Sequence, residues 1–448
     1  MDLKISPQQR VCGDIGLPGD QTIFHRLALL AAFADGVSCL RNIPTGRDSR
    51  TTLRVLAQLG VACEELAPAT LNITGCRGVF RPHAELFDCA GSATTARLLM
   101  GLLAGQSFEA VLDGNETLRR LPMEPIAGPL REMGARIVTF GKGRTLPLWI
   151  RGQELCGREF VMDSPQPELK CALLYAALQA TGTTSVVEGR PTRDHTERAL
   201  QMAGIRLTTR GSRVSLEGGQ IPNSFEATIP GDLSLGAHWL AWAAPREGSR
   251  MILRNVGLSP GRLAFVDVLV RMGAGLREEV LSCGAGEWFG HLDVRGRPLR
   301  AVQIEPEEIP HLSGEIPLLA VLAARARGLS SIRGLAALRG EKPDWIPAIV
   351  TNLQRMGADV EELPDALVIT GSGHLHGAEL DSFGDPHIAM AFAIAGLLAD
   401  EGGSVIRHVD GLDEVYPEFC PTLHRLAAEG REPPAPPTER PLALSAQD

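Results

Sequence analysis

Six glycines that close helices recur along this chain at nearly even spacing, and that period constrains the fold more than any other feature. The clearest unit is Asn352–Gly371, NLQRMGADVEELPDALVITG. Ile349, Leu353 and Met356 sit at helical spacing, and Gly357 stops the helix in the manner of a left-handed C-terminal glycine. A strand through Val360, a turn at Pro364-Asp365 and a second strand over Leu367–Ile369 follow. Similar stretches begin at Leu56, Leu130, Leu200 and Leu269, and a truncated one spans Leu423–Gly430. The helix-ending glycines are Gly60, Gly134, Gly204, Gly273, Gly357 and Gly430, separated by 74, 70, 69, 84 and 73 residues. A fixed period of this kind marks a repeat architecture, here of the α/β class.

Composition excludes several functions. The 448 residues are 44% hydrophobic, with a mean hydropathy of +0.02, as in a soluble globular protein of two or three domains. No apolar run reaches membrane-spanning length and the N-terminus lacks a basic-then-apolar signal pattern, so a cytoplasmic protein with no membrane partner is expected. A net charge of −9 argues against a nucleic-acid partner. Nine cysteines without a CxxC pair favour free thiols over disulfides or a metal site. Residues Arg431–Asp448, with PPAPP, read as a disordered tail.

Four predicted helices open on small or acidic residues: Gly19-Asp20-Gln21-Thr22, Gly91-Ser92-Ala93, Gly231-Asp232-Leu233-Ser234 and Gly384-Asp385-Pro386-His387. Exposed amides at such N-termini suit an anion or a hydroxyl. Their spread along the chain suggests helices converging on one cleft for a small anionic ligand.

The motifs GDQTIFHR (19–26), GSATTARLL (91–99), GNETLRRLPM (114–123), TRDHTER (192–198), PGDLS (230–234), NVGLSPGR (255–262) and DPHIAMAFAIAGL (385–397) fall in the order and spacing of another group of sequences. Over about residues 5–425 the chain resembles 5-enolpyruvylshikimate-3-phosphate (EPSP) synthase. The resemblance implies a two-domain inside-out α/β barrel of six βαβαββ repeats, with helices inside, sheets outside and a cleft between domains. It places one domain at 16–233 and the other at 1–15 with 234–430. It implies transfer of the carboxyvinyl group of phosphoenolpyruvate to shikimate 3-phosphate, with no cofactor. By resemblance, Thr22 and Arg26 face the ring, Thr192 and Arg193 lie near the 3-phosphate, and Ser164 and Gln166 stand near a Ser-Ala-Gln motif whose alignment is ambiguous in SPQPELKCALL. The expected cleft also holds Ser92, Thr94, Arg97, Asp385 and His387.

The half of the site that would take phosphoenolpyruvate departs from the family. Gln21, Leu121, Trp345, His387 and Glu414 stand where the family has cations, and Gly91 and Ala93 replace its Asn and Gly. Gly314 stands for its catalytic aspartate, and the catalytic Lys-Glu pair reads Glu341-Lys342. Losing four charge-assisted contacts costs on the order of 6 kcal/mol, about four decades of affinity. Three readings follow. The first is a lyase-type enzyme that eliminates phosphate or water from a shikimate-type ring without phosphoenolpyruvate, with Glu341, Lys342, His387 and Glu315 as catalytic candidates. The second is an enolpyruvyl transferase, and the third a non-catalytic binder.

Overall fold

The computed structural model describes residues 1–284, 286–339 and 344–429. Glu341, Lys342, Gly430 and the expected tail lie outside the described residues. Two hydrophobic cores organise the chain. One is built from residues between Ile23 and Ile229, the other from Leu3–Leu17 together with residues between Leu233 and Leu426. The chain passes between these two lobes twice, near residues 17–23 and 229–233.

Each lobe is centred on three largely apolar helices that are buried on nearly every face. These are Gln21–Phe33, Ala93–Leu103 and Pro167–Ala177 in the first lobe, and Leu233–Ala243, Ile316–Arg325 and Pro386–Leu398 in the second. Pro386–Leu398 is buried continuously from Ile388 to Leu398. The alternate helices are amphipathic. Arg47–Gln58, for example, buries Ser49, Thr51, Thr52, Val55 and Leu56 and turns its arginines outward.

The sheets follow one rule. Leu86–Asp88 pairs in parallel with Glu109–Asp113 across a helical crossover, and the sheet continues antiparallel through Leu148–Arg151 to Arg136–Thr139. A parallel neighbour needs the crossover and an antiparallel one only a hairpin, so each unit produces this mixed order. Five four-stranded sheets obey it. A further sheet has three strands and is completed from the far end of the sequence, where Leu3–Ile5 pairs with Ser404–Arg407, and a short parallel pair joins Leu155–Cys156 to Ala180–Thr181. The lobe crossing has the same origin. Glu226–Thr228 returns to pair with Val37–Arg41, while Cys12–Gly16 pairs with Arg250–Gly257 in the other lobe.

The expected inside-out barrel is corrected here. No sheet among the described residues closes on itself; each is open, with two edges. Each sheet ends after two to four strands with no partner in the next sheet, so the sheets surround the helices as separate panels.

Gly60, Gly134, Gly204, Gly273 and Gly357 all have positive φ, between 79° and 122°. That is the backbone a Cβ disfavours, and it explains why glycine recurs at this place in each unit. The longest interval, 84 residues, contains the longest hairpin: Gly275–Gly284 with Glu287–Arg295.

Candidate active site between the lobes

The two crossing strands meet where Gly19 bridges Gly231 and the Asp20 amide donates to the Pro230 carbonyl at 2.8 Å. Two central helices therefore begin side by side. Asp20 caps Gln21–Phe33 by accepting from the Ile23 amide at 3.1 Å, and Asp232 caps Leu233–Ala243 by accepting from Ser234 at 2.9 Å. Asp232 also reaches the Gln21 amide at 3.5 Å, which ties one lobe to the other. Both carboxylates are buried.

Arg262, from the motif NVGLSPGR, is buried against Asp20 in an ion pair and donates to Ser234 Oγ at 3.3 Å. Burial pushes Asp20 up, but Arg262, His195 and Arg193 together hold it below the usual carboxylate range. Asp232 has no such surplus of cations. Burial, and then the Asp20 charge, push it up to about 6. Arg193 lies in the same field. Burial and repulsion from Arg262 bring it down to about 10 against the pull of Asp20, Glu315 and Asp232, so it stays charged near neutrality. No hydrogen bond or ion pair engages Arg193 among the described residues. Glu315, nearly buried, completes the cluster.

Arg26 is buried one turn into its helix. It donates from Nε to Thr196 Oγ1 at 3.0 Å and from Nη1 to the Thr22 carbonyl at 2.9 Å. Thr22 is half-buried beside it. Thr192 is committed elsewhere: its amide and hydroxyl both donate to Glu188. Glu188 and Glu197 share the buried ammonium of Lys170, at 3.0 and 2.7 Å. That ion triad anchors the loop that carries Arg193.

Other expected residues fall into different settings. Ser92 is fully buried and caps Ala93–Leu103, accepting from the Thr95 amide at 3.3 Å. It belongs to a chain of hydroxyls running through Thr95 and Thr52 to His25 Nδ1. Burial brings His25 down to about 3, so its imidazole is neutral. Asp48 joins the outer end of this chain through Ser92, and burial raises its pKa. Thr94 and Arg97 are half-buried on the same helix. The side chains of Ser164 and Gln166 bond to each other at 3.0 Å just before Pro167–Ala177, where the Gln166 carbonyl accepts from the Lys170 amide at 3.1 Å.

A third group forms at the start of Pro386–Leu398. Asp385 caps this helix through the His387 and Ile388 amides at 2.8 and 3.0 Å. Its second oxygen accepts from the Trp345 indole at 2.9 Å, and the Trp345 and His387 rings lie 5.3 Å apart. Trp345 and His387, which the resemblance sets at two cation positions, thus pack on one another. Glu414 is exposed and pairs with Arg47 at 2.5 Å across the lobes. A Cβ on Gly314 would meet open space.

Sequence reasoning named Arg193, Arg26, Thr22, Asp385, His387 and Glu315. It missed Arg262, Asp232 as a titrating group, His195 and Asp48. Arg262 stood in a quoted motif; its pairing across the lobes left no local trace.

A profile of the family "EPSP synthase (3-phosphoshikimate 1-carboxyvinyltransferase)" matches residues 5–423. A 3-phosphoshikimate 1-carboxyvinyltransferase of Desulfitobacterium hafniense is 38% identical over 427 residues, covering 95% of this chain and 98% of the relative. One from Solibacter usitatus is 38% identical over 428 residues, covering 95% and 100%. The solved EPSP synthase of Acinetobacter baumannii superposes with a TM-score of 0.88 at 32% identity, covering 95% of this chain and 98% of that one. These relatives carry a transferase name, which corrects the expected lyase class. No helix among the described residues is long and apolar enough to cross a membrane.

Proposed function

The chain belongs to the EPSP synthase family, and from that premise we propose that it binds a shikimate-type anionic ring at the lobe crossing and transfers a carboxyvinyl group to it. The observation that carries the reading is Arg193. A charged guanidinium held among Asp20, Asp232, Glu315 and Arg262, with no hydrogen-bonded anion of its own, suits a bidentate carboxylate or phosphate from a ligand. Arg26 and Thr22 would lie along the same ligand. Transfer breaks the ring hydroxyl's O–H bond and the carbon–oxygen bond that holds phosphate in phosphoenolpyruvate, forms the new C–O bond, and passes the hydroxyl proton through a protein base to the departing phosphate. Asp232, poised near 6, and Glu315 are the carboxyl groups of the cluster able to hold that proton. The lobes 16–233 and 1–15 with 234–430 would act as rigid bodies around this ligand.

A second reading is favoured by one observation, the Trp345–Asp385–His387 group. Where a donor phosphate would need cations, an indole donates to the helix cap and packs on an imidazole. On this reading the ring is bound and phosphoenolpyruvate is not taken. One experiment separates the two. Shikimate 3-phosphate binding is measured by calorimetry, and the protein is then incubated with shikimate 3-phosphate and phosphoenolpyruvate while ³¹P resonances are followed. An enolpyruvyl ether with equimolar phosphate supports transfer. Binding without product supports the second reading, and absence of binding refutes both.

A further inference from the structure

A buried polar contact joins the lobes at a point that the proposed reaction does not use. His195, at the start of His195–Met202 in the first lobe, and Glu287, at the start of Glu287–Arg295 in the second, are both almost completely buried. His195 Nδ1 lies 2.6 Å from Glu287 Oε1, and Ser259 Oγ donates to Glu287 Oε2 at 2.6 Å. Both carboxylate oxygens are thus satisfied, one from each lobe. Gly286 makes the approach possible. Its φ is +74°, its carbonyl accepts from Arg198 Nη1 at 2.8 Å, and a Cβ there would stand 3.1 Å from Arg198 Cβ and 3.2 Å from its carbonyl oxygen. Arg198 in turn pairs with Asp194 at 2.8 Å.

The contact adjoins the ligand cluster. His195 follows Arg193 by two residues and helps hold Asp20 ionised, while its Nε2 is buried without a hydrogen-bond partner. Ser259 precedes Arg262 by three residues in the same motif. A carboxylate taken fully out of water needs partners for both oxygens, so Glu287 is stable in this place only when His195 of the other lobe is docked. When the lobes separate, both groups return to water at no such cost.

We propose that Glu287 is a positioning residue: with Ser259 it clasps His195 across the lobes and so sets the loop that presents Arg193 to the ligand. This rests on the reading of the crossing as the ligand site. It also accounts for the one long hairpin in the repeat series, whose extra length brings Glu287 to the opposite lobe.

The test compares wild type with Glu287→Ala, Glu287→Gln and, as an independent route, Gly286→Ala. Small-angle scattering without ligand reads lobe docking, and calorimetry with shikimate 3-phosphate reads the site. Glu287→Ala and Gly286→Ala are expected to enlarge the radius of gyration and weaken binding by about tenfold or more, with Glu287→Gln recovering most of both. A wild-type radius in both the Glu287→Ala and Gly286→Ala variants overturns the clasp. So does wild-type affinity in an expanded Glu287→Ala protein. If wild type itself does not bind shikimate 3-phosphate, the ligand reading fails while the scattering comparison still decides the clasp.

Discussion

Replacing Asp232 by asparagine should stabilise the protein at neutral pH and leave it unchanged in acid. Asp232 is buried at the lobe crossing, and burial, reinforced by the Asp20 charge, lifts it to about 6 despite Arg262. In the unfolded chain an aspartate titrates near 4. The folded state therefore holds this proton longer, so the slope of unfolding free energy with pH is negative between about 4 and 6. Stability contributed by the protonated group is fully present below the unfolded value and lost as pH rises through about 6. A two-unit shift corresponds to on the order of 3 kcal/mol. Asparagine keeps an oxygen to accept from Ser234 at the helix start and carries no charge at any pH. Urea unfolding of wild type and Asp232→Asn at pH 3, 6 and 7.5 should show curves that coincide at pH 3 and diverge by roughly 2–3 kcal/mol at pH 7.5. A variant less stable than wild type at pH 7.5 would refute the reasoning, because attraction between Asp232 and Arg262 would then exceed the cost of burial.

Three further outcomes are expected. Lys170→Met leaves Glu188 and Glu197 as buried carboxylates without their shared cation and should cost about 3–5 kcal/mol by chemical denaturation, with a weaker ligand response because Glu188 also holds Thr192. Gly357→Ala and Gly60→Ala impose the same left-handed strain, about 1–2 kcal/mol, at φ +81° and +83°. The Gly60 variant should nevertheless melt lower, since its Cβ meets the Arg81 carbonyl oxygen at 2.3 Å whereas that of Gly357 meets the movable His376 ring at 3.0 Å. Arg193→Ala should weaken shikimate 3-phosphate binding by roughly 2 kcal/mol in calorimetry with little change in melting temperature, because no hydrogen-bonded partner inside the protein is left behind and Asp20 keeps Arg262.

The repeat was legible because it is written in short-range terms. A left-handed glycine after an apolar helical stripe, followed by a tight hairpin, is local chemistry, and the five of these glycines among the described residues show the required φ. The central helices were legible as well, from unbroken apolar runs such as Ile388–Leu398 and the acidic caps before them. The acidic caps Asp20 and Asp232 were visible as residues, but their opposite shifts were not. Asp20 has the Arg262 guanidinium directly against its carboxylate, while at Asp232 burial and the Asp20 charge outweigh Arg262. Spacing along the chain carries no information about that difference.

Sequence alone determined the period, the α/β class and the family resemblance, since each depends on residues a few positions apart or on motif order. Only the tertiary structure decided that the sheets stay open and that Leu3–Ile5 completes a sheet with Ser404–Arg407. It alone decided that Trp345 packs on His387, that Arg262 neutralises Asp20, and that Glu287 meets His195. These pairs lie between 42 and about 400 residues apart. The two charged ones, Arg262 with Asp20 and Glu287 with His195, are set by desolvation and charge in a buried volume that exists only once the two crossing strands have brought the lobes together.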